Sequence, residues 1–83
     1  MNKILVKVYV QSIEEEFNVL IPINLRMMTV MDLMQKAINE LSGGYYEVKE
    51  GSVLFDSIEG KVINMNNIVK YSGLRNGCSI MLC

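Results

Sequence analysis

Residues 17–41 read FNVLIPINLRMMTVMDLMQKAINEL, and the hydrophobic period changes partway along this stretch. In its first half, Phe17, Val19, Ile21 and Ile23 fall on one face and Asn18, Leu20, Pro22 and Asn24 on the other. A period of two with β-branched residues predicts a strand over 17–25. Pro22 has no N–H to give to a ladder, so that strand belongs at a sheet edge. From Thr29 the period becomes helical. Val30, Leu33, Met34, Ala37 and Leu41 cluster on a 100° wheel with Met31 and Ile38 on a flank, and Asp32, Gln35, Lys36, Asn39 and Glu40 lie opposite. An apolar stripe about 160° wide suits a helix lying flat on a sheet. Thr29 and Asp32 form a weak capping box, and Ser42, Gly43 and Gly44 end the helix, which is predicted over about 29–41.

On the N-terminal side, residues 3–11 alternate in the same way. Ile4, Val6, Val8 and Val10 share one face; Leu5, Lys7, Tyr9 and Gln11 share the other. The short polar Ser12–Glu16 connection predicts an antiparallel hairpin. On the C-terminal side, Tyr45–Ser52 reads as loop and Val53–Phe55 as a short strand. Asp56–Lys61 reads as a turn, Val62–Asn64 as a further short strand and Asn66–Tyr71 as one helical turn. Asn76-Gly77 signals a positive-φ turn before a closing strand, Ser79–Cys83, with Ile80 and Leu82 on one face and Met81 on the other. The order strand, strand, helix, strand, strand predicts an α+β domain spanning residues 1–83. A right-handed crossover would lay the helix over a mixed sheet of four to five strands.

Composition excludes several kinds of chemistry. The 83 residues are 51% hydrophobic and 20% charged, with eight basic and nine acidic side chains and a net charge of −1. That balance gives no general pull toward nucleic acid. The absence of histidine removes His-based triads, His metal ligands and His pH switches. Cys78 and Cys83 are separated by four residues, unlike a redox CxxC pair; two thiols are too few for a structural zinc site unless a dimer shares it, and too few for an iron–sulfur cluster. They read as reduced thiols of a cytosolic protein. No apolar run approaches membrane-spanning length, and no small-residue cleavage site follows the N-terminal apolar segment. Glu14, Glu15 and Glu16 read as a solvated turn. Asp56 and Glu59 near Lys61 read the same way, and no carboxylate pair or nucleophile–base pair stands out. The expectation is a non-enzymatic domain with no cofactor and no metal.

The element order is that of the β-grasp, and the chain resembles ubiquitin-like proteins. Ile4-Leu5-Val6-Lys7-Val8 resembles ubiquitin's first strand, Thr29-Val30 with Leu33 and Ala37 resembles its helix, and Val53-Leu54-Phe55 resembles its third strand. A closer resemblance is to the bacterial YukD/EsaB family that accompanies type VII (ESX/WXG100) secretion systems. It rests on the chain length, the segment NVLIPINL before the helix, and the ending from Tyr71-Ser72-Gly73-Leu74-Arg75-Asn76-Gly77 through Cys78-Ser79-Ile80-Met81-Leu82. Cys78 stands where that family usually has aspartate.

The resemblance implies a sheet in which the first strand lies between the second and the last, with the third beside the last. Leu5, Lys7, Tyr9, Leu54 and Met81 would then meet on the face away from the helix, with Leu20 nearby. An apolar centre edged by Lys7 is a candidate protein-docking surface, and ubiquitin binds through the corresponding face. The function implied is an accessory or regulatory module of type VII secretion. It would be cytoplasmic, would meet secretion machinery through a protein partner, and would insert into no membrane and bind no nucleic acid. Conjugation or sulfur-carrier chemistry needs a flexible Gly-Gly tail, and no glycine follows Gly77, so a non-conjugated role is expected. The alternatives are a processed modifier or sulfur carrier, a PB1-like domain using Asp56–Glu59 against Lys7, and a self-associating scaffold or homodimer. Of the clustered methionines, Met34 is expected in the core, with Met27, Met28 and Met31 covering the helix start.

Overall fold

The computed structural model describes residues 2–83. The chain forms β1 (Lys3–Val10), β2 (Glu15–Pro22), α1 (Met27–Leu41), β3 (Leu54–Asp56), a short 3-10 turn (Val69–Tyr71) and β4 (Cys78–Leu82). The four strands make one mixed sheet in the order β2-β1-β4-β3. β1 runs antiparallel to β2 and parallel to β4, and β3 runs antiparallel to β4. Pro22 lies on an edge strand, opposite Lys3.

The alternation of β1 translates directly into burial. Ile4, Val6, Val8 and Val10 face the helix and are buried, and the intervening residues are exposed. Val19, Ile21, Leu54, Ile80 and Leu82 complete the inner face of the sheet. Against it pack Met27, Val30, Met31, Met34 and Ile38 from α1, with Tyr46, Ile63 and Val69 from the connections. Full burial of each such aliphatic side chain stabilises the fold by about 1.5–3 kcal/mol before entropy is counted.

Several boundaries differ from the sequence expectation. The helix starts at Met27, with Arg26 rather than Thr29 at its N-cap and no side-chain cap. The first free N–H groups are met by a distant loop instead: Met27 donates to the Asn67 carbonyl at 2.8 Å and Met28 to that of Met65 at 3.0 Å. A backbone carbonyl satisfies an orphan helix N–H as a serine would, and leaves no mark in the local sequence. The second strand stops at Pro22, because residues 23–25 turn to accept hydrogen bonds from Lys70 and Val69. Val62–Asn64 is no strand: a single bridge joins Val62 to Phe55, so the sheet has four strands.

The buried face of α1 is also rotated from the predicted one. Leu33 and Leu41 are exposed, and Gln35, expected on the polar side, is buried. Gln35 accepts hydrogen bonds from the Tyr46 hydroxyl at 2.7 Å and the Lys49 N–H at 3.2 Å. Those bonds satisfy an otherwise costly buried amide oxygen and hold the 45–52 segment against the helix.

Candidate interaction face

The outer face of the sheet is assembled by strand register. Tyr9 lies opposite Glu16 on β2 and Met81 on β4; Met81 lies opposite Phe55 on β3, and Phe55 bridges to Val62. Paired residues point to the same face, so Tyr9, Met81, Phe55 and Val62 form one apolar row crossing the sheet. Tyr9 is 38% exposed and Val62 61%, with Met81 and Phe55 half-buried between them. The next row is polar: Asn18, Lys7 and Ser79. Below it, Leu5 pairs with Leu20, which is 62% exposed. Lys7 therefore stands between two apolar groups.

The turn before β4 locks this arrangement. The Leu5 N–H donates to the Asn76 side-chain oxygen at 2.8 Å, and the Gly77 N–H donates to the Leu5 carbonyl at 2.6 Å. Gly77 has φ +85°, a conformation that glycine adopts without a side-chain penalty. Asn76 and Gly77 thus set where β4 begins beside β1, and with it the position of Met81 next to Tyr9.

The structure brings Leu5, Lys7, Tyr9 and Met81 onto this face and removes Leu54 from it. Leu54 is fully buried and points toward the helix. Its neighbour Phe55 takes the outer position, and Val62 extends the row. Val53, Leu54 and Phe55 are all apolar, so their sequence carries no period to choose the inward residue; pairing of Leu54 with the inward Leu82 makes the choice.

Of the other groups singled out in the sequence, the acidic turn has structural partners. Asp56 accepts from the N–H groups of Ile58 and Glu59 at 2.8 and 3.2 Å, closing its turn, and Glu59 lies 3.8 Å from Lys61 in an exposed pair. Met27 and Met34 are core residues and Met31 is buried, whereas Met28 stays exposed. Met28, Met31, Val48 and Met65 line a concavity of about 390 Å³ between α1 and the 48–52 segment, together with Asp32 and Glu50. Cys78 and Cys83 are free, half-buried thiols. Among the described residues, no three Cys, Asp or Glu side chains gather as metal ligands. Burial pushes the Tyr46 hydroxyl above its ordinary pKa, with Ser52 opposing part of that shift.

No family profile matches the chain, and no curated protein does. Solved structures do. The ubiquitin-like domain of EccD5 from Mycobacterium xenopi superposes with a TM-score of 0.79 at 13% identity, covering 100% of this chain and 94% of that one. The ubiquitin-like domain of the Mycobacterium tuberculosis type VII secretion protein ECCD1 gives 0.75 at 13% identity, over 99% and 98% of the two chains. A chain of the MycP5-free ESX-5 inner membrane complex gives 0.79 at 15% identity over all of this chain, which spans only 21% of that longer one. The protein has the ubiquitin-like β-grasp fold: one helix across a four-stranded mixed sheet.

Proposed function

We propose that this domain is a non-enzymatic protein-interaction module that docks non-covalently through the outer face of its sheet. The observation that carries the proposal is the row Tyr9–Met81–Phe55–Val62, an apolar strip on the face away from α1 with Tyr9 and Val62 exposed at its ends. Leu5 and Leu20 add a second apolar group, and Lys7 between them provides a charge that fixes orientation. An apolar strip with a methionine and two aromatic rings, flanked by Lys7, suits a protein partner better than a small ligand.

The partner we propose is a component of a type VII secretion system, with this domain as an accessory or regulatory subunit of the YukD/EsaB kind. Support comes from the NVLIPINL segment and the closing 71–82 pattern, together with the likeness of fold to the EccD domains. Among the described residues, no helix is long and apolar enough to cross a membrane. In this reading a protein partner recruits the domain to the cytoplasmic side of the membrane complex.

The test is an amide NMR titration of the labelled chain with the soluble region of the FtsK/SpoIIIE-type ATPase, and separately with the WXG100 proteins, of the same organism. Shifts should concentrate at Tyr9, Phe55, Val62 and Met81. Phe55→Asp should abolish them while its own spectrum stays folded. Equal binding by Phe55→Asp, or shifts confined to another face, overturns the docking surface. A source genome without WXG100 proteins and such an ATPase overturns the secretion role and leaves the docking surface standing.

A further inference from the structure

We infer that the free edge of β2 is an interface for a second copy of this chain, which joins it antiparallel to extend the sheet. Four observations converge on that edge, and none depends on the outer-face docking site.

The first is hydrogen-bonding phase. β2 is an edge strand, paired with β1 alone. The Ile23 N–H donates to the Asn2 carbonyl at 3.0 Å, and alternate residues of an antiparallel strand bond to the same neighbour. Ile21, Val19 and Phe17 therefore bond inward to β1, and the backbone groups of Glu16, Asn18, Leu20 and Pro22 point off the sheet. Pro22 sits where the missing N–H costs β1 nothing. The stretch from Asn18 to Leu20 remains a free template, with no charge, proline or bulge to protect it.

The second is the surplus of apolar surface on α1. Leu33 continues the helix's apolar stripe beside β2 but is 47% exposed. Leu33 and Ala37 line a groove of about 220 Å³ between α1 and β2, closed below by Val19, Leu20 and Ile21. A strand added to β2 would bring a second helix on the same side of the sheet, and Leu33 would meet its symmetry mate across the groove.

The third is charge. Glu14, Glu15 and Glu16 crowd the beginning of β2. Lys3 lies opposite Pro22 at the other end. The edge is acidic at one end and basic at the other. An antiparallel copy sets each acidic end against the other's basic end; a parallel one would set like against like.

The fourth is self-complementarity of register. Pairing Asn18 with the second copy's Leu20 puts Val19 on the two-fold axis and matches outward-pointing groups with outward-pointing groups. It also brings Glu16 opposite the other Pro22, one strand away from the other Lys3. A single isologous contact of this kind closes as a dimer.

Sedimentation of the intact chain over a concentration series should show a reversible monomer–dimer equilibrium. Asn18→Pro removes an N–H that β1 does not use, and Leu33→Glu charges an exposed groove residue. Each should weaken self-association at least about tenfold with thermal unfolding near that of the parent. Lys3→Glu and Glu16→Lys should each weaken the dimer, and the double exchange should restore it. Phe55→Asp, on the other face, should leave it intact. A monomer at every concentration overturns the inference, as does a dimer indifferent to both Asn18→Pro and Leu33→Glu.

Discussion

The two faces of the sheet both carry apolar side chains, yet only one of them is closed. On the inner face, Ile4, Val6, Val8 and Val10 meet a helix, and Tyr46 seals the far side through its bond to Gln35. On the outer face, Tyr9, Met81, Phe55 and Val62 line up as regularly, with Met81 and Phe55 half-buried and Tyr9 and Val62 exposed. The boundary runs between adjacent residues: Leu54 is buried and Phe55 borders solvent. Apolar character alone does not place a side chain in a core. A covering element does, and the single helix can cover one side.

The largest expected contrast lies across that boundary. Leu54→Ala should destabilise the domain by about 2–5 kcal/mol, because it removes a fully buried side chain and leaves a cavity. Chemical denaturation would measure it, and Leu54→Asp should fail to fold. Phe55→Ala should cost clearly less than Leu54→Ala; equal costs would break the distinction between the faces.

A smaller effect probes how the inner face is sealed. Tyr46→Phe keeps the buried ring but leaves Gln35 with only the Lys49 N–H, and should cost about 1 kcal/mol. The hydroxyl also carries a pH signature. Burial raises its folded pKa above the ordinary value of 10.0, so the folded state retains a proton that the unfolded chain gives up. The stability this group contributes is fully present below about pH 10 and is lost as pH rises through the raised folded value. Tyr46→Phe should flatten that alkaline loss in a series of melting curves. An unchanged slope would mean that the hydroxyl is not the group responsible.

The smallest effect lies in the β3 turn. The Glu59–Lys61 pair is exposed on both sides at 3.8 Å, and exposed pairs contribute little. Lys61→Ala should move stability by no more than about 0.5 kcal/mol, read by the same denaturation curves. A larger loss would show that the β3 turn bears on closure of the inner face.

The elements with a strong period were legible in the residues. β1, the inward set of β2, the body of α1 and the Ile80/Leu82 face of β4 follow from alternation or helical spacing. The Asn76-Gly77 turn follows from its dipeptide, and Gly77 takes a positive φ. Leu5, Lys7, Tyr9 and Met81 were legible as co-facial once the strand order was supplied by resemblance. Elements without a period were not legible. Phe55 and Leu54 exchange roles because a three-residue apolar strand looks the same either way up. Tyr46 becomes a core residue from within a loop because a helix glutamine waits for its hydroxyl. The helix start moves to Met27 because carbonyls of Met65 and Asn67 cap it.

By itself, then, the sequence determined that a hairpin, one amphipathic helix and a closing strand would share a single core. Period and turn chemistry are properties of neighbouring residues, and they suffice for that. Tertiary structure alone decided which apolar residues have a cover. Leu33 lies on the helix's apolar stripe but at the β2 edge of the sheet, Leu41 is the last residue of the helix, and Phe55 lies on the side with no helix. Burial needs a second surface, and where that surface ends is fixed by contacts between residues far apart in the chain.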